Sequence, residues 1–388
     1  MRKAIETIRA PRKGKTSVSA HFPIGAGTVF FAAVQAVGVG GLCAHDFTDW
    51  FSVDATAAAI AMHQRVSGDP GTDGASRVTA PLQLEFSVHP NECNEFFSKV
   101  AFADGEGLAG TGTWSLAPWG GDHESDVKDV NGRGRDFLLT AWYRYSRDFG
   151  DWSLSATGGI IDSVDFLGGN AFAEDEYSQF CNEIFVCNGS HGLPSYDFGG
   201  VLEAQFGDWT FTGLAMSIGE NDDGDEFFFW GLQAARGYET GSGKGKVRLL
   251  FVGTDAEFLD PAGVSKESLF GVSISADQEF GDVFGGFLRL GWQKDDAAIG
   301  YETFFSGGLN IDGSAWGREN DNIGLACAWL GDGNSGINHT NVFEAYYRCE
   351  INEHLAVTAD VQYMSDAMEN GAPSPAGWIF GTRLVFGF

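Results

Sequence analysis

Positive charge and proline are both scarce in this chain. Its 388 residues include only 10 Pro, and 24 Lys and Arg stand against 53 Asp and Glu, so the formal net charge is −29 at pH 7. This balance argues against nucleic acid as a partner, because phosphate neutralisation needs a basic face. The 55 Gly and 33 Phe instead suit many strands that are joined by Gly- and Asp-rich turns.

Catalytic and metal-binding motifs are also missing from the sequence. The eight His are scattered, and there is no GxSxG nucleophile elbow, no HExxH pair and no CxxC. Beyond residue 44, no apolar run reaches the roughly 20 residues that a membrane-spanning helix needs. We therefore expect no enzyme activity, no cofactor and no metal site. A mature chain that spans a membrane would have to do so as a β-barrel.

The first 44 residues differ from the rest. Six Lys and Arg precede an uncharged run from Phe22 to Ala44 that ends in small residues, as in a secretory signal peptide that is cleaved near Ala44. An N-terminal membrane helix is the alternative, which the Gly- and Ala-rich run disfavours. We predict a signal peptide at 1–44 and a barrel domain at 45–388, and cleavage would make the net charge about −34.

Export would permit disulfide bonds. Five Cys remain after residue 44, and this odd number argues against a full disulfide framework. Cys181 and Cys187 could close a small loop, whereas Cys327 and Cys349 are equally well explained as small apolar side chains on strand faces.

Stretches of strand length follow residue 44, and each is bounded by Gly, Asp, Asn or Ser. Most have the length of about 9–11 residues that a tilted membrane strand requires. They predict an all-β fold, a transmembrane antiparallel β-barrel of 16 strands. The predicted strands are 52–64, 79–90, 94–103, 135–146, 151–160, 195–205, 208–217, 224–236, 245–254, 267–276, 283–292, 300–310, 321–331, 340–350, 353–364 and 377–388.

Side chains alternate between two faces along the better strands. In the last strand, Trp378, Phe380 and Leu384 share one face, and Ile379 and Arg383 share the other. The polar faces are thin in charge and rich in Gly, Ser, Thr and Gln, which fits a lumen better than the outside of a soluble sandwich. Several Trp fall near strand ends, where we expect aromatic girdles; they are Trp114, Trp119, Trp152, Trp209, Trp292, Trp329 and Trp378.

Connection lengths alternate in the first half of the chain. From a periplasmic N-terminus, the turns near 90–93 and 147–150 are tight, whereas 65–78, 104–134 and 161–194 are long, as in outer-membrane barrels. We expect the long connections outside the cell. The third of them mixes apolar anchors with hydrogen-bonding groups, and we expect it to fold into the lumen and narrow the pore.

A constriction is expected where this third loop meets charged lumen residues. Rows of Arg and carboxylate can hold a field that orients a polar solute, and aromatic faces beside planar polar groups suit sugars. From the residues alone, lumen salt bridges that merely stiffen the wall are an equal alternative. The candidates are Asp162, Asp165, Asn170, Asp175, Glu176, Gln179, Glu203, Arg248, Arg289, Glu344, Arg348, Asp360 and Arg383.

Most of the acidic residues lie in connections. Asp222, Asp223 and Asp225 could form a calcium loop, but their spacing does not match the EF-hand pattern. We favour a solvated loop that divalent ions crosslink to lipid head groups. Such carboxylates would make the pore mouth attract cations and repel anions.

The run from Gly159 to Phe185 resembles the carbohydrate-selective porins of the OprB type. The resemblance covers the chain from about Gly159 onward. The other matching residues are Trp316, Gly317, Arg318, Asp321, Gly324, Glu344, Tyr346, Tyr347, Arg348, Thr358, Asp360, Gln362, Tyr363 and the segment Gly381 to Phe388.

This resemblance implies a sixteen-stranded outer-membrane barrel that admits glucose and other small sugars by diffusion. It also implies inward-folded loops, an arginine-lined constriction that would include Arg318, and a terminal Phe388 that the barrel-assembly machinery recognises. The sequence departs from the family in Ala359, where Pro is frequent, in its extra Cys and in its acidity. These departures affect the expected sugar selectivity rather than the barrel.

The sequence thus predicts a porin of the outer membrane of a Gram-negative bacterium that admits small sugars and other hydrophilic solutes. A general cation-selective channel of the same fold and a secreted all-β carbohydrate-binding protein are the alternatives. The expected partners are outer-membrane lipid and lipopolysaccharide, the solutes and the barrel-assembly machinery. The oligomer would be a monomer or a homotrimer.

Overall fold

A computed structural model describes residues 45–68, 74–187 and 192–387. The predicted signal peptide at 1–44 and the predicted assembly signal Phe388 lie outside these residues. Within them, sixteen antiparallel strands form one closed sheet, which confirms the predicted fold class.

In chain order the strands of the described residues are β1 (His45–Thr48), β2 (Phe51–Ser67), β3 (Gly74–Asn91), β4 (Asn94–Asp104), β5 (Leu138–Asp148), β6 (Trp152–Ile161), β7 (Asp197–Phe206), β8 (Trp209–Ile218), β9 (Phe227–Thr240), β10 (Gly243–Thr254), β11 (Phe258–Leu259), β12 (Lys266–Glu267), β13 (Phe270–Phe280), β14 (Phe284–Gln293), β15 (Thr303–Asp312), β16 (Asn322–Gly331), β17 (Ile337–Asn352), β18 (Leu355–Met368) and β19 (Ala376–Gly387). The wall strands are β2–β10 and β13–β19. The short β1 pairs with the beginning of β2, and β11 and β12 form a separate hairpin in a connection.

The barrel closes between its last and first wall strands. β19 pairs antiparallel with β2 from Ala376 opposite Ser67 to Gly387 opposite Thr56. Closure satisfies the backbone donors and acceptors of both strands, so neither leaves an open edge. All sixteen predicted strands are present, and most of their bounds differ by a few residues.

The first connection is shorter than predicted. β2 continues to Ser67 and β3 begins at Gly74, so the predicted 65–78 connection reduces to 68–73. The apolar alternation ends earlier than the backbone pairing of β2 with β3, which continues to Arg65 opposite Gly74 through a stretch of polar residues. His63 Nδ1, for example, lies 2.9 Å from Ser76 Oγ on the neighbouring strand.

Side-chain orientation follows the predicted alternation. On β19, Trp378 and Phe380 are 46% and 49% exposed on the outer face, whereas Ile379 and Arg383 are fully buried at 0%. Large apolar side chains project from the outer face on most other wall strands. An outer surface of this kind is stable when it meets lipid rather than water.

Two long connections fill much of the lumen. They leave the same end of the barrel, after β4 and after β6, and the second contains the short helix α1 (Glu183–Val186). Four 3₁₀ segments also occur in the described chain; they are Gly107–Thr111, Val130–Gly132, Ser163–Asp165 and Gly313–Trp316. Among the described residues, no helix is long and apolar enough to cross a membrane.

Candidate functional site

The first inward loop, residues 105–137, is held to the wall by buried polar side chains. Gln64 of β2 donates to Thr113 Oγ1 at 3.0 Å and accepts from Trp114 Nε1 at 3.0 Å. Asp366 of β18 accepts from the backbone N–H of Ser115 at 2.7 Å. These bonds satisfy groups that would otherwise be buried without partners, so the loop has a defined position in the lumen.

The second inward loop, residues 162–187, docks on the first. Gly120 N–H donates to Cys181 C=O at 2.7 Å, and Glu183 N–H donates to Ala117 C=O at 3.1 Å. A Cβ on Gly120 would lie 2.6 Å from Glu183 Cα, so only glycine permits this approach. The two loops therefore form one plug inside the barrel, which confirms the predicted inward folding of long loops.

Two wall arginines hold the second inward loop by its backbone. Arg383 of β19 donates to the carbonyls of Glu176 and Gln179. Arg289 of β14 donates to three carbonyls of the same loop, one of them Phe185 at 3.1 Å. Both guanidinium groups are buried. Besides its bonds to the loop, Arg383 donates to Thr358 Oγ1 of β18 at 3.1 Å.

A wall carboxylate of β17 holds the same loop. Glu344 accepts from the backbone N–H groups of Cys181 and Asn182. Ligand atoms of Cys181, Glu344 and Asp360 lie within 4.8 Å of one another. Arg383 Nη1 lies 3.3 Å from the Cys181 thiol, so a positively charged side chain already contacts one of these three potential metal ligands. All five Cys in the described residues are unpaired, including Cys181 and Cys187.

The remaining lumen candidates form separate pairs. Arg248 pairs with Asp277 of the adjacent β13 at 2.5 Å, and Glu203 pairs with Arg144 of β5 at 3.1 Å. Asn170 donates to a hydroxyl of β13 at 3.1 Å. These contacts cross-link wall strands or attach the second inward loop to the wall.

Several predicted side chains also make hydrogen bonds within the second inward loop, and Gln179 makes the longest-range ones. Gln179 Oε1 accepts from the backbone N–H of Glu174 at 2.8 Å, and its Nε2 donates to Ala171 C=O at 2.9 Å. The amide therefore braces the loop internally, and its Oε1 also accepts from the backbone N–H of Asp175 at 3.2 Å.

Arg318 and Arg348 lie apart from the other candidates. Arg318 follows β15 on the turn at the opposite, short-turn end, where it pairs with Asp321 at 2.5 Å. Arg348 is near the same end of β17 and donates to Asn320 C=O at 3.0 Å. The chain direction places them there, so the structure does not bring them to the loop plug.

A cavity of about 750 Å³ remains beside the plug. Of the predicted site residues, Asp162, Asp165, Asp175 and Glu176 line it. Twelve of the lining residues are Asp or Glu, one is Lys99, and no described lining residue is Arg. The lumen arginines do not face this cavity, because Arg289 and Arg383 bind loop backbone and Arg248 pairs with Asp277. The arginine-lined constriction that the resemblance implies stays a prediction.

Hydrogen bonds order part of the acidic lining. Lys99 Nζ lies 3.0 Å from Glu85. Asp122 accepts from Gln83 Nε2 at 3.0 Å and from the Tyr196 hydroxyl at 3.1 Å. Among the twelve acidic side chains of the lining, Asp122 is thus hydrogen-bonded by neutral donors and Glu85 is paired with Lys99.

Enclosure by the plug changes the ionisation of loop carboxylates. Burial, with the negative charge of Asp165 added, raises the pKa of Asp162 to about 8. Burial, with the charge of Asp175 added, raises the pKa of Glu176 to about 8. Near neutral pH these two groups are largely protonated, and the cavity gains negative charge as the pH rises.

Sequence reasoning missed several residues of the cavity. Trp114 and Trp119 are not girdle residues, because they lie buried in the first inward loop. Lys99 was recognisable as a lone cation on the inward face of β4, between Phe97 and Ala101. Its importance depends on loops that come from distant parts of the chain.

Comparison with known proteins agrees with this architecture. Residues 258–388 match the family model described as carbohydrate-selective porin, OprB family. A protein of uncharacterised function from Aquifex aeolicus is 26% identical over 300 residues, which cover 76% of this chain and 79% of that protein.

Solved structures extend the OprB likeness to most of the barrel. The high-pH structure of Pseudomonas putida OprB superposes with a TM-score of 0.66 at 15% identity, covering 87% of this chain and 94% of that one. The outer-membrane channel DcaP of Acinetobacter baumannii gives a TM-score of 0.55 at 11% identity, covering 89% and 100%. At these identities the likeness concerns the fold. Together with the family match, it supports a porin in the outer membrane and points to a channel rather than an enzyme.

Proposed function

We propose that the protein is a passive porin for small sugars and other small hydrophilic solutes. The observation that supports this most is the polar cavity inside a closed barrel. Its carboxylates accept hydrogen bonds, and the hydroxyl groups of a sugar donate them. The family match at 258–388 supports the same class of solute.

Cation-selective diffusion without sugar preference is the second candidate. The specific observation in its favour is the ratio of twelve acidic residues to one lysine around the cavity. A lining of one sign in a narrow, low-dielectric space concentrates counter-ions and excludes ions of like charge.

Two measurements on the purified barrel distinguish these candidates. In liposome swelling, we expect glucose to enter several-fold faster than a zwitterionic amino acid of similar size. In a planar bilayer with a KCl gradient, the reversal potential reports cation preference directly. Sugar entry no faster than that of the zwitterion would contradict the sugar preference and leave the general channel.

The membrane assignment and the partners have their own test. The proposed partners are outer-membrane lipid and lipopolysaccharide, and assembly uses the barrel-assembly machinery. We expect the protein to be extracted only by detergent and to migrate faster on a gel before heating than after it. A secreted carbohydrate-binding protein would dissolve in buffer without detergent. Crosslinking in detergent would then separate a monomer from a homotrimer.

A further inference from the structure

The outer surface of the barrel contains a groove of about 440 Å³ over β6 to β10, which we call the outer groove. Its floor is Gly213 of β8, which pairs with Leu202 on one side and with Leu232 on the other. Both leucines project outward and are 60% and 54% exposed, so the missing side chain of Gly213 leaves a depression between them. The other apolar side chains of the lining are Leu154, Ala204, Phe211, Ala234 and Phe251.

An arginine lies at the short-turn end of the outer groove. Arg236 follows Ala234 on the same face of β9, and its Cζ lies 5.3 Å from the centroid of the Trp209 ring. Trp209 also stacks on Phe211 of the groove, with centroids 6.0 Å apart. Arg236 is exposed and forms no ion pair with any described residue. Its N–H groups are therefore available to an anion at the level where the apolar wall ends.

A carboxylate lies one residue farther toward the turn. Asp208 directly precedes Trp209, and its C=O accepts from the backbone N–H of Gly237, the neighbour of Arg236, at 2.9 Å. The side chain of Asp208 is exposed and has no ion-pair partner in the described part of the chain. Along the barrel axis the order is thus apolar groove, guanidinium and carboxylate.

This order matches one class of membrane lipid by charge. A phospholipid with an amino head group presents an acyl chain, then a phosphate, then an ammonium group that carries N–H donors. Arginine is well suited to phosphate, and an ammonium group forms charge-assisted hydrogen bonds with a carboxylate. An anionic head group would leave the charge of Asp208 without compensation, and a choline head group has no N–H to donate.

We propose that the outer groove binds phosphatidylethanolamine. An acyl chain lies over Gly213 between the two leucines, Arg236 donates to the phosphate, and the ammonium group donates to Asp208. The site is separate from the lumen, so the inference depends on the position of the barrel in a membrane and not on the transported solute. The lipid is bound without any covalent step.

The test measures the binding of three phospholipids with identical acyl chains to the delipidated barrel in detergent at pH 7.5, by native mass spectrometry. Phosphatidylethanolamine carries the primary amine, phosphatidylcholine has the same net charge without N–H donors, and phosphatidylglycerol is anionic. We expect phosphatidylethanolamine to bind at least about threefold more tightly than either of the others, as for an exposed but well-placed ion pair.

Three variants assign the parts of the site. Arg236→Gln weakens the binding of all three lipids, because each has a phosphate. Asp208→Asn removes the preference for phosphatidylethanolamine and leaves the affinity for phosphatidylcholine unchanged. Gly213→Leu fills the floor and weakens all three. The matched controls are Arg65→Gln and Ala61→Leu, two exposed positions on the outer face of β2, and both keep the wild-type affinities.

Each outcome bears on a stated part of the inference. Equal affinities of the wild type for the three lipids overturn it, and so does a preference for phosphatidylglycerol, which would make the groove a site for anionic lipid. A dimer of the delipidated barrel that Gly213→Leu disrupts also overturns it, because the groove would then join two copies of the chain. A preference that survives Asp208→Asn overturns the role of that carboxylate.

Folding and transport are checked separately. Heat-modifiable mobility verifies that each variant is folded, and the smaller change Gly213→Val, with a weaker loss of all three lipids, serves if Gly213→Leu does not fold. Failure of sugar uptake with the lipid preference intact would overturn the proposed transport function and support the lipid site.

Discussion

Arg383 shows what the charged lumen residues do at the scale of single side chains. Its guanidinium is buried under the second inward loop and donates to the carbonyls of Glu176 and Gln179. A guanidinium presents several donors in a fixed plane, so one side chain satisfies carbonyls that no strand or helix partner reaches. Arg289 does the same from β14.

Replacement of this arginine tests the anchoring role. Arg383→Gln leaves buried loop carbonyls without donors, and each costs on the order of 1–3 kcal/mol. We therefore expect a lower midpoint in denaturant-induced unfolding of the detergent-solubilised barrel and noisier single-channel currents, since the plug loses its hold on β19. The control is Arg147→Gln, an exposed arginine near the turn after β5. Equal effects of the two substitutions would contradict the anchoring role.

At the scale of elements, the plug and the wall are matched by shape. Phe172 of the second inward loop packs against β14 where the wall has Gly285, and a Cβ there would lie 2.2 Å from the phenyl ring. Further along, Phe180 and Phe185 contact Phe287 of the same strand. The large outward residues of β14 thus form a lipid face, while the space above the inward Gly285, next to the inward Phe287, forms a seat for the loop.

The seat predicts a difference between two glycine substitutions. Gly285→Ala overpacks the contact with Phe172, which costs about 1–3 kcal/mol in comparable cores. Gly158→Ala places its Cβ where no atom lies within 4 Å and should be nearly neutral. Limited proteolysis of the folded barrel reports the effect, because a displaced second inward loop is cut sooner. Similar cleavage rates in the two variants would show that the plug does not depend on this seat.

At the scale of the whole molecule, charge is distributed by location. The outer face carries large apolar side chains, and the lumen cavity collects carboxylates from both inward loops, from β2 and β3 and from the connection after β8. Because the acidic groups converge in one enclosed space, each raises the free energy of ionising its neighbours. The selectivity of the channel for cations over anions should therefore depend on pH.

The direction of that dependence follows from the raised pKa values. Asp162 and Glu176 have pKa values of about 8, so both are mainly neutral below that pH and mainly charged above it. We expect the cation-to-anion permeability ratio to increase between pH 6.5 and pH 9, measured as reversal potentials in a KCl gradient. In the double variant Asp162→Asn, Glu176→Gln the ratio should change much less over this interval. A ratio that falls with pH in the wild type would refute this electrostatic account.

The barrel was predictable because its signals are local. Period-two alternation and turn residues occur within about ten residues of one another, and lipid outside a closed wall allows only one orientation of Trp378 and Phe380. The inward course of the second long loop was also predictable, from its length and its apolar anchors.

The composition of the cavity was not predictable in this way. Lys99 and Glu85 lie on neighbouring strands, but Asp122, Asp162 and Glu176 come from two loops far apart in the chain. Which charges face solute and which hold backbone depends on how those loops dock. Alternation along one strand says only that Arg383 points inward; the packing of the plug against β19 decides that it binds carbonyls instead of solute. The sequence by itself determined the wall, whereas the tertiary structure alone decided the chemistry of the lumen, because that chemistry depends on long-range contacts.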